Sequence, residues 1–122
     1  MKKILVVEDE EQIRELLSRR LSKHGYDVLT ASNGREAVEI CKIKHPDLAL
    51  LDIGMPVMDG YQTCEMIRQD PKMKGIKILF LTGNDLEPSG IDRRCEKLEA
   101  SGYLSKLSTF DDLLEKIRKI IG

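Results

Sequence analysis

Residues 47–60 read DLALLDIGMPVMDG, and this stretch decides the fold. From Leu48 to Leu51 every residue is apolar, with none of the alternation that a half-solvated strand requires. Such a strand must be covered on both faces, as in a parallel sheet whose crossover helices pack above and below. Asp52 ends the run, and Pro56, Asp59 and Gly60 break the chain before a helical period begins. Asp59 is placed to cap that helix, which carries Tyr61, Cys64 and Ile67 and closes at Asp70-Pro71. Working outward, the same alternation recurs. Further strands are expected at residues 3–7, 26–31, 77–81 and 103–105, and three of the five candidates are apolar on both faces. Ile13, Leu16, Leu17 and Leu21 make the stripe of a first helix that stops near Gly25. Ala37, Val38 and Cys41 mark a second, which must finish before Pro46. Ile91, Cys95 and Leu98 mark a fourth, with a start blurred by Pro88, Ser89 and Gly90. Phe110, Leu113, Leu114, Ile117 and Ile121 form the clearest stripe, with Ser108 or Thr109 as its cap. Strands and helices use the whole chain, so the pattern predicts a single α/β domain with no linker or repeat.

Composition excludes several functions. A chain of 122 residues, 41% hydrophobic, has material for one core. Lys+Arg 20 against Asp+Glu 21 leaves a net charge of -1, with no overall field that favours nucleic acid. No apolar run approaches the roughly 18 residues of a membrane span. Lys2 and Lys3 ahead of an apolar run imitate a signal peptide, but Glu8 ends the run too early. A cytoplasmic chain without membrane attachment is expected. Cys41, Cys64 and Cys95 are odd in number and lack C-x-x-C spacing, which fits reduced buried thiols and neither a disulfide framework nor a zinc site.

In an open parallel sheet, residues at the carboxyl ends of the strands gather on one edge, where such folds bind ligands. Here they are Glu8 and Asp9 past the first strand, Asp52 past the third, Thr82 past the fourth and Lys106 past the fifth. His24 and His45 fall toward the opposite edge. Carboxylates brought this close repel one another unless a cation joins them. Mg²⁺, held by one or two carboxylates, water and a phosphoryl oxygen, matches that donor set. Asp52 could then attack phosphorus to give an acyl phosphate, Lys106 could neutralise phosphoryl charge, and the Thr82 hydroxyl could donate to a phosphoryl oxygen. Each residue alone has a plainer reading: helix-dipole acids for Glu8 to Glu11, a turn for Asp52, a cap for Thr82, a solvated cation for Lys106. Glu10 and Glu11 are read that way. The joint occurrence of the others at four strand ends carries the site.

The segments KKILVVEDEEQIRELL (2–17), DLALLDIGMPVMDG (47–60), ILFLTGN (78–84) and GYLSK (102–106) make the chain recognisable. It resembles, over essentially its whole length, the receiver domain of two-component response regulators. The resemblance implies a flavodoxin-like (βα)5 doubly wound parallel sheet of strand order 2-1-3-4-5. Asp52 would be the phosphoacceptor, served by a phosphohistidine on a sensor histidine kinase or histidine phosphotransfer protein. Mg²⁺ would be held by Glu8, Asp9, Asp52 and the backbone carbonyl of Gly54. Thr82 and Tyr103 would be the switch pair, and Lys106 would contact the phosphoryl group. Such a chain is no enzyme beyond Mg²⁺-dependent self-phosphorylation and self-dephosphorylation. Its output would pass through changed contacts with a downstream protein, or a phosphorylation-dependent homodimer, and not through direct nucleic-acid binding.

With residues 1–122 all spent on the receiver domain, no output domain is expected in this chain. Leu107 departs from the family by standing where proline is usual and the preceding bond commonly cis. A cis bond without proline costs about 2.5–4 kcal/mol, so this one is expected to be trans or strained. Glu8 replaces the usual Asp, Gly83 the usual alanine, and residues 83–100 look long and irregular. Several rivals share the architecture. A flavin-binding protein needs a hydroxyl- and glycine-rich phosphate loop where this chain has Glu8 to Glu11. A phosphohydrolase of the haloacid dehalogenase type needs a second Asp where Gly54 stands. ATP use lacks its phosphate loop. Two readings remain beside the main one: an interaction module that no longer accepts phosphate, and the receiver part of a longer regulator with a DNA-binding output domain.

Overall fold

Five strands, β1 (Lys3–Val7), β2 (Asp27–Ala31), β3 (Leu48–Asp52), β4 (Lys77–Thr82) and β5 (Gly102–Ser105), alternate with five helices. The helices are α1 (Glu11–Lys23), α2 (Gly34–Lys44), α3 (Gly60–Gln69), α4 (Pro88–Lys97) and α5 (Phe110–Ile121). The computed structural model describes residues 1–83 and 88–122, so the expected irregularity over 83–100 falls partly outside the described residues. All neighbouring strands pair in parallel, in the order β2-β1-β3-β4-β5. Every residue of β3 is buried, and so are four of the five in β1, which accounts for their unbroken apolar runs. Val7 lies opposite Leu51, Asp52 opposite Leu81, and Thr82 opposite Ser105, so these strands finish level on one edge.

Alternate side chains serve two cores. Leu5, Val7, Leu51 and Phe80 face α2, α3 and α4 through Ala37, Val38, Cys64, Ile67 and Ile91. Ile4, Val6, Leu50 and Leu79 face α1 and α5 through Leu21, Leu113, Leu114 and Ile117. Full burial of such a side chain stabilises by about 1.5–3 kcal/mol, so the two layers outweigh any local propensity. The first helix departs from its sequence pattern. Of the stripe Ile13, Leu16, Leu17 and Leu21, Leu21 alone is fully buried and Leu16 is 51% exposed. The others border an open groove of about 260 Å³ between α1 and α5, shared with Leu104 and Phe110.

The helix ends follow side-chain chemistry. Asp59 and Gln62 form a reciprocal capping box on α3, Asn33 Oδ1 accepts the Glu36 amide at 2.8 Å, and Thr109 rather than Ser108 caps α5 through the Asp112 amide. Beyond α1, Gly25 adopts φ +89°, and His45 ends α2 in the left-handed region just before Pro46. Arg68, at the end of α3, ties two loops together. Its guanidinium donates to the carbonyls of Leu98, Lys74, Ile76 and Glu99 at 2.8–3.1 Å. At the amino edge of the sheet, Lys2, His45, Lys72 and Lys77 line a shallow groove with Asp47, whose carboxylate accepts the Lys3 amide at 2.7 Å. Among the described residues, no helix is long and apolar enough to cross a membrane.

Candidate functional site

The ends of β1, β3, β4 and β5 deliver the expected residues to one edge. Asp52 and Thr82 are the last residues of β3 and β4, which run one residue further than the sequence pattern suggested, and both are buried. Glu8 follows β1 directly, its amide donating to the Ala31 carbonyl at 3.1 Å, and it is fully buried beside the exposed Asp9. One ligand atom from each of Glu8, Asp9 and Asp52 can be chosen so that all lie within 4.8 Å of one another. Lys106 enters from beyond β5. Its Nζ stands 2.8 Å from Asp52 Oδ2 and 3.0 Å from Glu8 Oε2.

Electrostatics follow from this packing. Burial, reinforced by the Asp52 charge, raises the Glu8 carboxyl from 4.5 to about 7 despite the Lys106 ammonium beside it. For Lys106, burial pulls the pKa down, but the hydrogen bond to Asp52 and the charges of Asp52 and Glu8 outweigh it, and the ammonium is held above its usual value. Glu8 Oε2 lies close to the lysine yet lacks a well-aligned hydrogen bond, an incomplete arrangement for a buried anion. Three carboxylates, one with an oxygen of this kind, form a donor set that suits a hard divalent cation such as Mg²⁺.

The backbone shapes the pocket as much as the charges do. The Gly54 amide donates to Asp52 Oδ1 at 3.0 Å, which fixes the carboxylate's orientation. A Cβ on Gly60 would come within 2.7 Å of the Asp52 carbonyl oxygen, so only glycine lets α3 begin this close to the end of β3. Tyr103 sits half-buried on β5, opposite Phe80. Partial burial and the charge of the neighbouring Asp92 push its phenol above the usual range.

No cis peptide bond occurs among the described residues, so Lys106-Leu107 is trans, and the lysine nevertheless reaches both carboxylates. The histidines lie away from the site, His24 at the end of α1 and His45 at the end of α2. The cysteines are free and buried, with burial pushing Cys41 up to about 12 and Cys64 to about 11, so both stay as thiols. Sequence reasoning missed Ser105 and Arg68. The first left a signal, a hydroxyl residue two places before an amide that needs a partner. The second reads in sequence as an ordinary helix-face cation.

Comparison with known proteins agrees with this geometry. The family model described as the response regulator receiver domain matches residues 4–118. The chemotaxis protein CheY4 of Vibrio cholerae superposes with a TM-score of 0.91 at 30% identity, covering 99% of each chain. The response regulator TrrA of Thermotoga maritima, solved in complex with Mg²⁺ and BeF, superposes with a TM-score of 0.86 at 40% identity, covering 99% of this chain and all of that one. Among curated proteins, the probable transcriptional regulator ycf27 of Porphyridium aerugineum is 37% identical over 98% of this chain and 48% of its own length. The alkaline phosphatase synthesis transcriptional regulatory protein PhoP of Bacillus subtilis is 48% identical over 70% of this chain and 35% of its own. The chain belongs to the receiver domains of two-component response regulators, with the acidic pocket that fits Mg²⁺ and a phosphoacceptor aspartate. Members of this family are signalling modules, not classical enzymes. The chain spans about half the length of the curated relatives it matches.

Proposed function

We propose that Asp52 takes a phosphoryl group from a phosphohistidine on a sensor histidine kinase or phosphotransfer protein, and that the chain is thereby switched. The reading is supported above all by one observation, the Lys106 ammonium poised 2.8 Å and 3.0 Å from two carboxylates at the level end of four strands. An Asp52 carboxylate oxygen forms a bond to phosphorus, the phosphorus–nitrogen bond of the donor breaks, and the imidazole leaves with that electron pair. Glu8, Asp9, Asp52 and the Gly54 carbonyl would hold Mg²⁺, which supplies charge neutralisation for the transferring group. Lys106 stabilises phosphoryl charge, and Thr82 donates its hydroxyl to a phosphoryl oxygen. Tyr103, half-buried two strand places from the site, turns inward as Thr82 moves, and the change is read on the surface by a partner protein. Self-phosphorylation from a small donor and self-dephosphorylation use the same residues.

Incubation with Mg²⁺ and acetyl phosphate should add one phosphoryl mass that hydroxylamine removes. No mass gain, or a gain that survives Asp52→Asn, sinks the reading and favours a module that does not accept phosphate. A cytoplasmic location is part of the same proposal. The curated relatives named above are transcriptional regulators about twice as long. A DNA-binding output, joined to this domain or carried by a partner, is the corresponding proposal for the whole protein, and reading the gene past the codon for Gly122 tests which.

A further inference from the structure

The turn after β5 differs chemically from the family pattern, because Leu107 carries an amide hydrogen that proline would lack. In the structure each amide of the turn has a partner. The Lys106 N–H donates to the Thr82 carbonyl at 2.8 Å, the Ser108 N–H to the Ser105 carbonyl at 3.0 Å, and the Leu107 N–H to the Ser105 side-chain oxygen at 3.1 Å. Ser105 therefore accepts twice, once with its backbone and once with its hydroxyl, from the two residues that follow the lysine. A hydroxyl that accepts from the amide two places on folds the chain into a defined turn, much as a fixed proline ring would. Leu107 itself is 75% exposed, so no packing of its side chain holds the turn.

We infer that Ser105 is a positioning residue for Lys106, its hydroxyl replacing the missing proline in setting the turn that brings the ammonium to Asp52. The inference rests on the phosphoacceptor reading given above. Without the Ser105 hydroxyl the Leu107 amide turns to water, the turn samples several shapes, and Lys106 spends less time against Asp52 and Glu8. Because the lysine acts on transferring charge, the loss falls on the maximal rate of phosphorylation more than on the half-saturating donor concentration.

The test compares Ser105→Thr with Ser105→Val, near-isosteres that differ in the hydroxyl alone, for Mg²⁺-dependent phosphorylation by acetyl phosphate. Ser105→Val should lower the maximal rate roughly 3- to 10-fold, the size of one neutral hydrogen bond, with the half-saturating concentration little changed. Ser105→Thr should restore the rate to within about twofold, by the same hydroxyl chemistry. Hydrogen exchange at the Leu107 amide should speed up in the valine variant and not in the threonine one. If the valine variant folds poorly, Ser105→Ala is read in its place. Equal rates in the threonine and hydroxyl-free variants, or equal Leu107 exchange, overturn the inference. A wild-type chain that takes no phosphoryl group instead overturns the phosphoacceptor reading itself, so the two failures are distinct.

Discussion

At the scale of single residues the chemistry is set by who shares a cavity with whom. Glu8 has its pKa raised from 4.5 to about 7, so the folded chain holds a proton there more tightly than the unfolded chain does. Stability of the metal-free protein should therefore decline as pH rises from about 4.5 to 7 and level off above, which urea midpoints in the presence of a chelator will record. A cation must displace the same proton, so Mg²⁺ affinity should rise with pH through 7, with proton release visible as buffer-dependent heat in calorimetry. Gly60 offers a second check. Its Cβ would meet the Asp52 carbonyl oxygen at 2.7 Å, so Gly60→Ala should cost about 2 kcal/mol in denaturant unfolding and disturb the phosphoacceptor as well. The acidic set was legible in the sequence because strand ends of a parallel sheet have only one place to meet. That Lys106 would pair with two carboxylates at once was not, since the Ser105 hydroxyl signals a turn but not how that turn stands against the ends of β1 and β3.

At the scale of elements, strands were easier to read than helices. A buried parallel strand announces itself by apolarity on both faces, and β3 needed no other signal. The stripe of α1 was a true helical period, yet Leu16 is half in solvent, because a period gives the side that faces inward and not how closely the neighbouring helix approaches. Arg68 shows the other limit. Its side chain donates to four carbonyls in two loops, a set of contacts far apart in sequence that no pattern along α3 could reveal. Arg68→Met should cost about 2 kcal/mol, less than the sum of its bonds because water replaces part of them, and hydrogen exchange should quicken in both loops it ties. Arg68→Lys should recover only part of the loss, as an ammonium lacks the planar fork.

At the scale of the whole molecule, the two apolar layers make β1 and β3 the most protected part of the chain, whereas β5 is half-buried throughout. Native-state hydrogen exchange should find β1 and β3 opening only with global unfolding, and β5 opening at lower free energy. The near-neutral total conceals an uneven placement of charge. Glu8, Asp9 and Asp52 gather at the carboxyl edge around the ammonium of Lys106, while Lys2, Lys72 and Lys77 border the groove at the amino edge beside Asp47. A chain of net charge -1 thus carries a local excess of carboxylates at one edge and of lysines at the other. Diffusing partners will meet it already turned, a cationic docking surface drawn to the phosphoacceptor end and repelled from the other. The encounter rate should then slow as added salt shortens the Debye length from about 10 Å at 0.1 M, a sensitivity that the net charge alone would never suggest.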